Sequence, residues 1–128
     1  MKQILIVNAN YYDKISKNLV SSSKKLLIRK KTRVKIFNVA GIFEIPVAIK
    51  KNVNNFHGFI ALGCVIKGQT PHFDFISKST TDAIMNISVE SKKPVGNGII
   101  TCLNKNQAIA RGKKGREAAN AVKTILSL

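Results

Sequence analysis

Acidic residues are scarce in this chain, cysteines scarcer, and long apolar runs absent. Only six of the 128 residues are aspartate or glutamate, so a carboxylate that falls at a functional position stands out. The two cysteines, Cys64 and Cys102, match no metal-binding spacing and are too few for a disulfide scaffold. Both are expected to be small buried hydrophobes, and no metal is expected. No apolar run approaches the ~20 residues that cross a bilayer, and the opening MKQILIVNAN is too short for a signal peptide. A cytoplasmic protein without membrane attachment is therefore expected. Internal repeats, low-complexity segments and linkers are also missing, which leaves one domain over residues 1–128.

Positive charge is what the chain has in excess. The formal net charge is +16, carried in clusters such as Lys24-Lys25, Arg29-Lys30-Lys31, Lys50-Lys51, Lys92-Lys93 and Lys113-Lys114. A field of this sign favours anionic partners and steers a phosphorylated substrate towards its site. Nucleic-acid binding is the rival reading. The clusters are spread along the whole chain and no nucleic-acid-binding motif accompanies them, so a solvated basic surface is the preferred account, with any nucleic-acid contact nonspecific.

The apolar fraction of 45% is that of a globular protein, and its pattern alternates between two periods. Ile4-Leu5-Ile6-Val7 is a short continuous run, as in a strand buried on both faces. Ile15, Leu19, Ser23, Leu26 and Leu27 follow at helical spacing. Val34 to Val39 reads as a second strand. Ile45, Ala48, Ile49 and Val53 then form a helical stripe, with Glu44 and Pro46 in its first turn. Phe59 to Ile66 is a third strand, and Phe73, Ile76, Thr80, Ala83, Ile84 and Ile87 line a third helix. Residues 95–102 form a fourth strand whose glycines imply close approach of backbone or ligand. Ala118, Ala121, Val122, Ile125 and Leu126 mark the inner face of a last helix. This alternation predicts an α/β fold, a four-stranded parallel sheet with helices on both faces, built from right-handed crossovers. Ligands of such sheets sit beyond the carboxyl ends of the strands.

The residues at those ends carry chemistry. Tyr11 and Tyr12 follow the first strand, where one can stack on a planar ring and one can close the core. Gly41 and Glu44 follow the second, the glycine suiting a turn that presents backbone groups to a ligand. After the third strand, Lys67-Gly68-Gln69-Thr70 leads into Pro71-His72. Thr can cap a helix there, Pro suits its first position, and the helix N-terminus attracts anions. The spacing of a P-loop is not met. Arg111 follows the fourth strand and can grip a phosphate through two N–H donors.

The segments GIFEIP (41–46), LGCVIKGQTPHFD (62–74), QAIAR (107–111) and KGREAA (114–119) resemble those of the lumazine synthase family, in the right order and over nearly the whole chain. The resemblance implies a flavodoxin-like three-layer αβα sandwich assembled as a homopentamer, with active sites between neighbouring subunits and no metal or organic cofactor. It implies condensation of 5-amino-6-(D-ribitylamino)uracil with 3,4-dihydroxy-2-butanone 4-phosphate. The products are 6,7-dimethyl-8-ribityllumazine, phosphate and water, in the penultimate step of riboflavin biosynthesis. Riboflavin synthase, which acts next, is the macromolecular partner it suggests. By position, Tyr11, Ile42, Phe43, Glu44, Cys64, Val65, Ile66 and Asn97 would hold the pyrimidine. Gln69, Thr70 and Arg111 would hold the butanone phosphate, and His72 would be the proton donor.

The residue types suit that chemistry. Imine formation, phosphate loss and ring closure each move a proton, and histidine is the side chain that changes charge near neutral pH. Departing phosphate needs fixed positive partners. The chain departs from the family at several positions. Ala40 replaces a common proline, Lys67 a common arginine whose planar fork it lacks, and Asn97 a common phenylalanine. The start close to the first strand and the short Gly112–Gly115 connection point to a free pentamer rather than a shell. Like charge on five subunits implies salt-sensitive association. A basic flavodoxin-like protein that binds a flavin or pterin without turnover is the alternative reading.

Overall fold

The computed structural model describes residues 1–28, 31–68 and 72–128. Its strands are β1 (Lys2–Ala9), β2 (Thr32–Val39), β3 (Gly58–Ile66) and β4 (Val95–Cys102). The helices are α1 (Asp13–Leu27), α2 (Ile45–Lys51), α3 (His72–Ser91), α4 (Lys105–Ala110) and α5 (Lys114–Leu126), with a 3-10 turn at Ile42–Glu44. All strand pairs are parallel and the sheet order is β2-β1-β3-β4. The order reverses between β1 and β3, so the crevice expected of a doubly wound sheet opens beside their carboxyl ends.

Two cores flank the sheet, and side-chain alternation sorts residues between them. Ile4 and Ile6 of β1 and Ile60, Leu62 and Cys64 of β3 pack under α1 and α5. Leu5, Val7, Phe59 and Ala61 pack under α2 and α3. The run Ile4–Val7 is buried on both faces as expected, and each such side chain stabilises the fold by about 1.5–3 kcal/mol. β2 differs: as an edge strand it lies beyond the middle of both helical layers, and Ile36 and Phe37 remain exposed.

The two glycines of β4 answer to close packing, Gly96 to the α5 backbone and Gly98 to the Leu62 side chain. A Cβ at Gly96 would stand 2.1 Å from the Ala118 carbonyl oxygen, so α5 lies directly on the strand. α5 is also tied to α1 by the buried Ser23 hydroxyl, which donates to the Gly115 carbonyl at 2.7 Å. The stretch read as leading into one last helix divides into α4 and α5. Asn104 caps α4 by accepting from the Gln107 N–H (2.9 Å), while Gln107 Oε1 accepts from the Leu103 N–H (2.8 Å), a reciprocal cap that starts a separate helix. No helix among the described residues is long and apolar enough to cross a membrane.

Candidate active site

The carboxyl ends of β1, β2 and β3 form a shelf. At β1 the two tyrosines divide the roles that the sequence left open. Tyr12 is half-buried and packs on the α1/α5 core; burial, then the neighbouring Cys64, holds its hydroxyl pKa above the ordinary value. Tyr11 is 76% exposed and meets Tyr12 edge to face, ring centres 4.9 Å apart. Tyr12 closes the core, and Tyr11 is the ring left available for stacking.

At β2 the chain turns through Gly41 into the 3-10 turn, with the Glu44 N–H donating to the Gly41 carbonyl at 3.2 Å. The Glu44 carboxylate folds back over Gly41, whose notional Cβ lies 3.4 Å from its Oε1. Ile42 is buried and reaches down to β3: a Cβ at Gly63 would lie 2.3 Å from Ile42 Cδ1 and 3.0 Å from Ala9 Cβ. Only glycine at 63 lets this turn settle onto the sheet. With its side chain in the core, Ile42 presents backbone to the shelf, while Phe43 and Glu44 are exposed on it.

At β3, Cys64 is buried and Val65 and Ile66 are half-buried. Burial, reinforced by Cys102, pushes the Cys64 thiol up from 9.0 to about 12. Cys64 is therefore a neutral thiol at physiological pH and no nucleophile. Lys67 and Gly68 leave the sheet exposed, Lys67 after its N–H bonds the Cys102 carbonyl (2.8 Å). Gln69 and Thr70, assigned to the phosphate, and the Thr70-Pro71 helix start lie outside the described residues. His72 is the exposed first residue of α3.

Asn97 and Arg111 sit elsewhere. Asn97 pairs in register with Ala61, midway along β4 rather than at its carboxyl end. Its Oδ1 accepts from the Ile99 N–H at 3.0 Å. Arg111 Nη1 donates to the Thr101 carbonyl at 3.0 Å and lies 3.9 Å from Cys102 Sγ. Backbone groups of successive strand residues face opposite sides. Since the Cys102 carbonyl faces β3, that of Thr101 faces the unpaired edge of β4. Arg111 is thus on the outer edge, turned away from the shelf. A cleft of 490 Å³ opens there, lined in part by Arg111, Lys113, Lys114 and Glu117, with Lys114 paired to Glu117 at 2.9 Å. In the sequence Lys113-Lys114 reads as one more basic cluster. Its proximity to Arg111, which the fold creates, makes it part of a cationic edge.

The expected site residues therefore fall in two groups: Tyr11, Phe43, Glu44 and His72 about the strand ends, and Asn97 and Arg111 on β4 and its outer edge. Among the described residues no group of three or more His, Cys, Asp and Glu is placed to hold a metal.

Comparison with known proteins covers the whole chain. A family model described as 6,7-dimethyl-8-ribityllumazine synthase matches residues 1–128. The 6,7-dimethyl-8-ribityllumazine synthase of Bartonella bacilliformis is 36% identical over 134 residues, spanning 98% of this chain and 88% of its own. That of Methylobacterium radiotolerans is 36% identical, spanning 98% and 81%. That of Methylocella silvestris is 40% identical, spanning 91% and 79%.

Proposed function

The chain belongs to the 6,7-dimethyl-8-ribityllumazine synthase family, a transferase family of riboflavin biosynthesis, and from that premise we propose how its residues divide the work. The reaction is the condensation of 5-amino-6-(D-ribitylamino)uracil with 3,4-dihydroxy-2-butanone 4-phosphate. The pyrimidine lies on the shelf, stacked on Tyr11 and flanked by Phe43. Glu44 and the backbone of Ile42 and Cys64 to Ile66 supply its polar contacts. His72 moves protons during imine formation, phosphate loss and ring closure. Gln69, Thr70 and Arg111 receive the phosphate, and Lys113 and Lys114 add positive potential where its charge develops. Much of the remaining acceleration comes from holding two substrates in register.

The observation that carries this reading is the separation of the half-sites. Arg111 and Asn97 occupy an outward edge of β4, so a complete site forms where that edge of one subunit meets the shelf of the next. The α2/α3 layer supplies a surface for such assembly: Phe43, Val47, Phe75, Met85 and Val89 are all more than half exposed. A homopentamer buries them. It works in the cytoplasm and hands its product to riboflavin synthase.

Mixing the two substrates with the protein tests the reaction. The lumazine chromophore is expected to appear at a rate proportional to enzyme. A tightly bound flavin or pterin with no product at high protein concentration would favour the binding protein instead.

A further inference from the structure

The charge of +16 is not needed by the condensation, and the structure distributes it unevenly. Two clefts open on the outer face of α1. One, of 460 Å³, lies between α1 and the edge strand β2; the other, of 660 Å³, lies between α1 and the α4–α5 junction. Ser21 and Lys25, on the exposed crest of α1, line both, so the two clefts adjoin along that crest as one divided groove. Lys17, Lys24, Lys25, Lys113 and Arg116 border it and are exposed. The one carboxylate on its walls, Asp13, is paired with Lys17 at 2.9 Å.

We propose that this groove binds single-stranded nucleic acid through its phosphodiester backbone, without sequence preference. Several features of the groove favour that occupant. Lys17 and Lys24 stand two turns apart, about 10.5 Å along α1, and the groove continues past them to Arg116, an elongated track of positive charge rather than a single point. Four of the five cations are lysines, which meet phosphate as point charges without fixing its orientation. Asn10, Asn18, Ser21 and Asn38 line the same walls and can bond sugar and base edges. The cations line two clefts on either flank of a helix rather than a flat face, which suits a flexible strand better than the plane of a bilayer.

The test compares two variants with equal loss of charge in the assembled protein. One is Lys24→Gln/Lys25→Gln/Arg116→Gln in the groove. The other is Lys2→Gln/Lys31→Gln/Lys51→Gln, at exposed positions outside it. Binding of a fluorescein-labelled oligouridylate is measured by anisotropy across a salt series. The groove variant is expected to bind about tenfold or more weakly, its salt slope lessened by about 2, since each lost phosphate contact removes about 0.7 for a single strand. The second variant is expected to stay close to the parent. Equal weakening of both would overturn the proposal, because bulk charge alone would then explain binding. So would polyglutamate or anionic vesicles binding the parent as tightly as oligouridylate does.

Discussion

On one side of the sheet, α1, α4 and α5 carry Lys14, Lys17, Lys24, Lys25, Lys105, Lys114, Arg116 and Lys123, and their two carboxylates, Asp13 and Glu117, are both paired with lysines. On the other side, the 3-10 turn, α2 and α3 hold Glu44, Asp74, Asp82 and Glu90, four of the chain's six acids, against Lys50, Lys51 and Lys78. That second layer also exposes Phe75, Met85 and Val89 along α3. The chain therefore separates its largest exposed apolar surface on α3 from the surface that bears most of the charge. Charges more than about 10 Å apart are largely screened at moderate salt. In the proposed assembly the neutral, apolar layer meets copies of the chain, and of the basic layer only the β4 edge with Arg111, Lys113 and Lys114 reaches a neighbour. For that assembly, association less sensitive to salt than net charge alone suggests is expected.

The contrast breaks most completely if charge is moved into the apolar layer. Phe75→Lys/Val89→Lys is expected to reduce the mass in solution from oligomer to monomer and to abolish product formation, whereas Lys24→Glu/Lys25→Glu on the opposite layer leaves the mass unchanged. Light scattering distinguishes them; an intact oligomer in the first variant would refute the assignment of the layers. The layers also differ in chemistry. His72→Ala, on α3, is expected to lower kcat about a hundredfold or more, the usual range for a lost proton carrier. Arg111→Ala, on the β4 edge, mainly raises KM for the phosphorylated substrate. Steady-state kinetics with each substrate varied in turn would expose any exchange of these roles.

A smaller effect concerns how the basic layer is fastened. Ser23→Ala leaves the buried Gly115 carbonyl without its side-chain donor, and a loss of about 1 kcal/mol is expected in urea unfolding. An unchanged midpoint would mean that solvent replaces the bond. The smallest effect is a pH dependence. Cys64 is raised from 9.0 to about 12 by burial and then by Cys102. The unfolded chain therefore releases this proton first, and the group's contribution is full below pH 9 and lost as pH rises to about 12. Across that window Tm should fall less steeply in Cys64→Ala than in the parent; parallel curves would assign the fall to other groups.

Much of this was legible in the sequence where the determinants are local. The strands follow from apolar runs, and α1 and α3 from their buried stripes. Other features depend on non-local partners. The exposure of β2 follows from the strand order, which no single segment encodes. The glycines of β4 allowed either ligand or backbone as their neighbour; the α5 backbone is the answer at Gly96, and the Leu62 side chain at Gly98. The division of α4 from α5 rests on the side-chain cap between Asn104 and Gln107. At the site, the motif located Tyr11, Phe43, Glu44 and His72 near strand ends, yet sequence alone did not say which tyrosine closes the core. It did read Cys64 as buried, but it did not show that Ile42 turns its side chain inwards. The placement of Asn97 midway along an edge strand, apart from the shelf, depends on register. Gln69 and Thr70 fall outside the described residues.

Mixing two defective variants tests the split site most directly. Purified His72→Ala and Arg111→Ala proteins are dissociated, combined and reassembled, with mixed oligomers verified by mass spectrometry. If the shelf of one subunit is completed by the β4 edge of the next, some interfaces pair an intact His72 with an intact Arg111. Lumazine formation should then rise well above that of either variant alone. Mixed oligomers no more active than their parents would contradict a site shared between subunits.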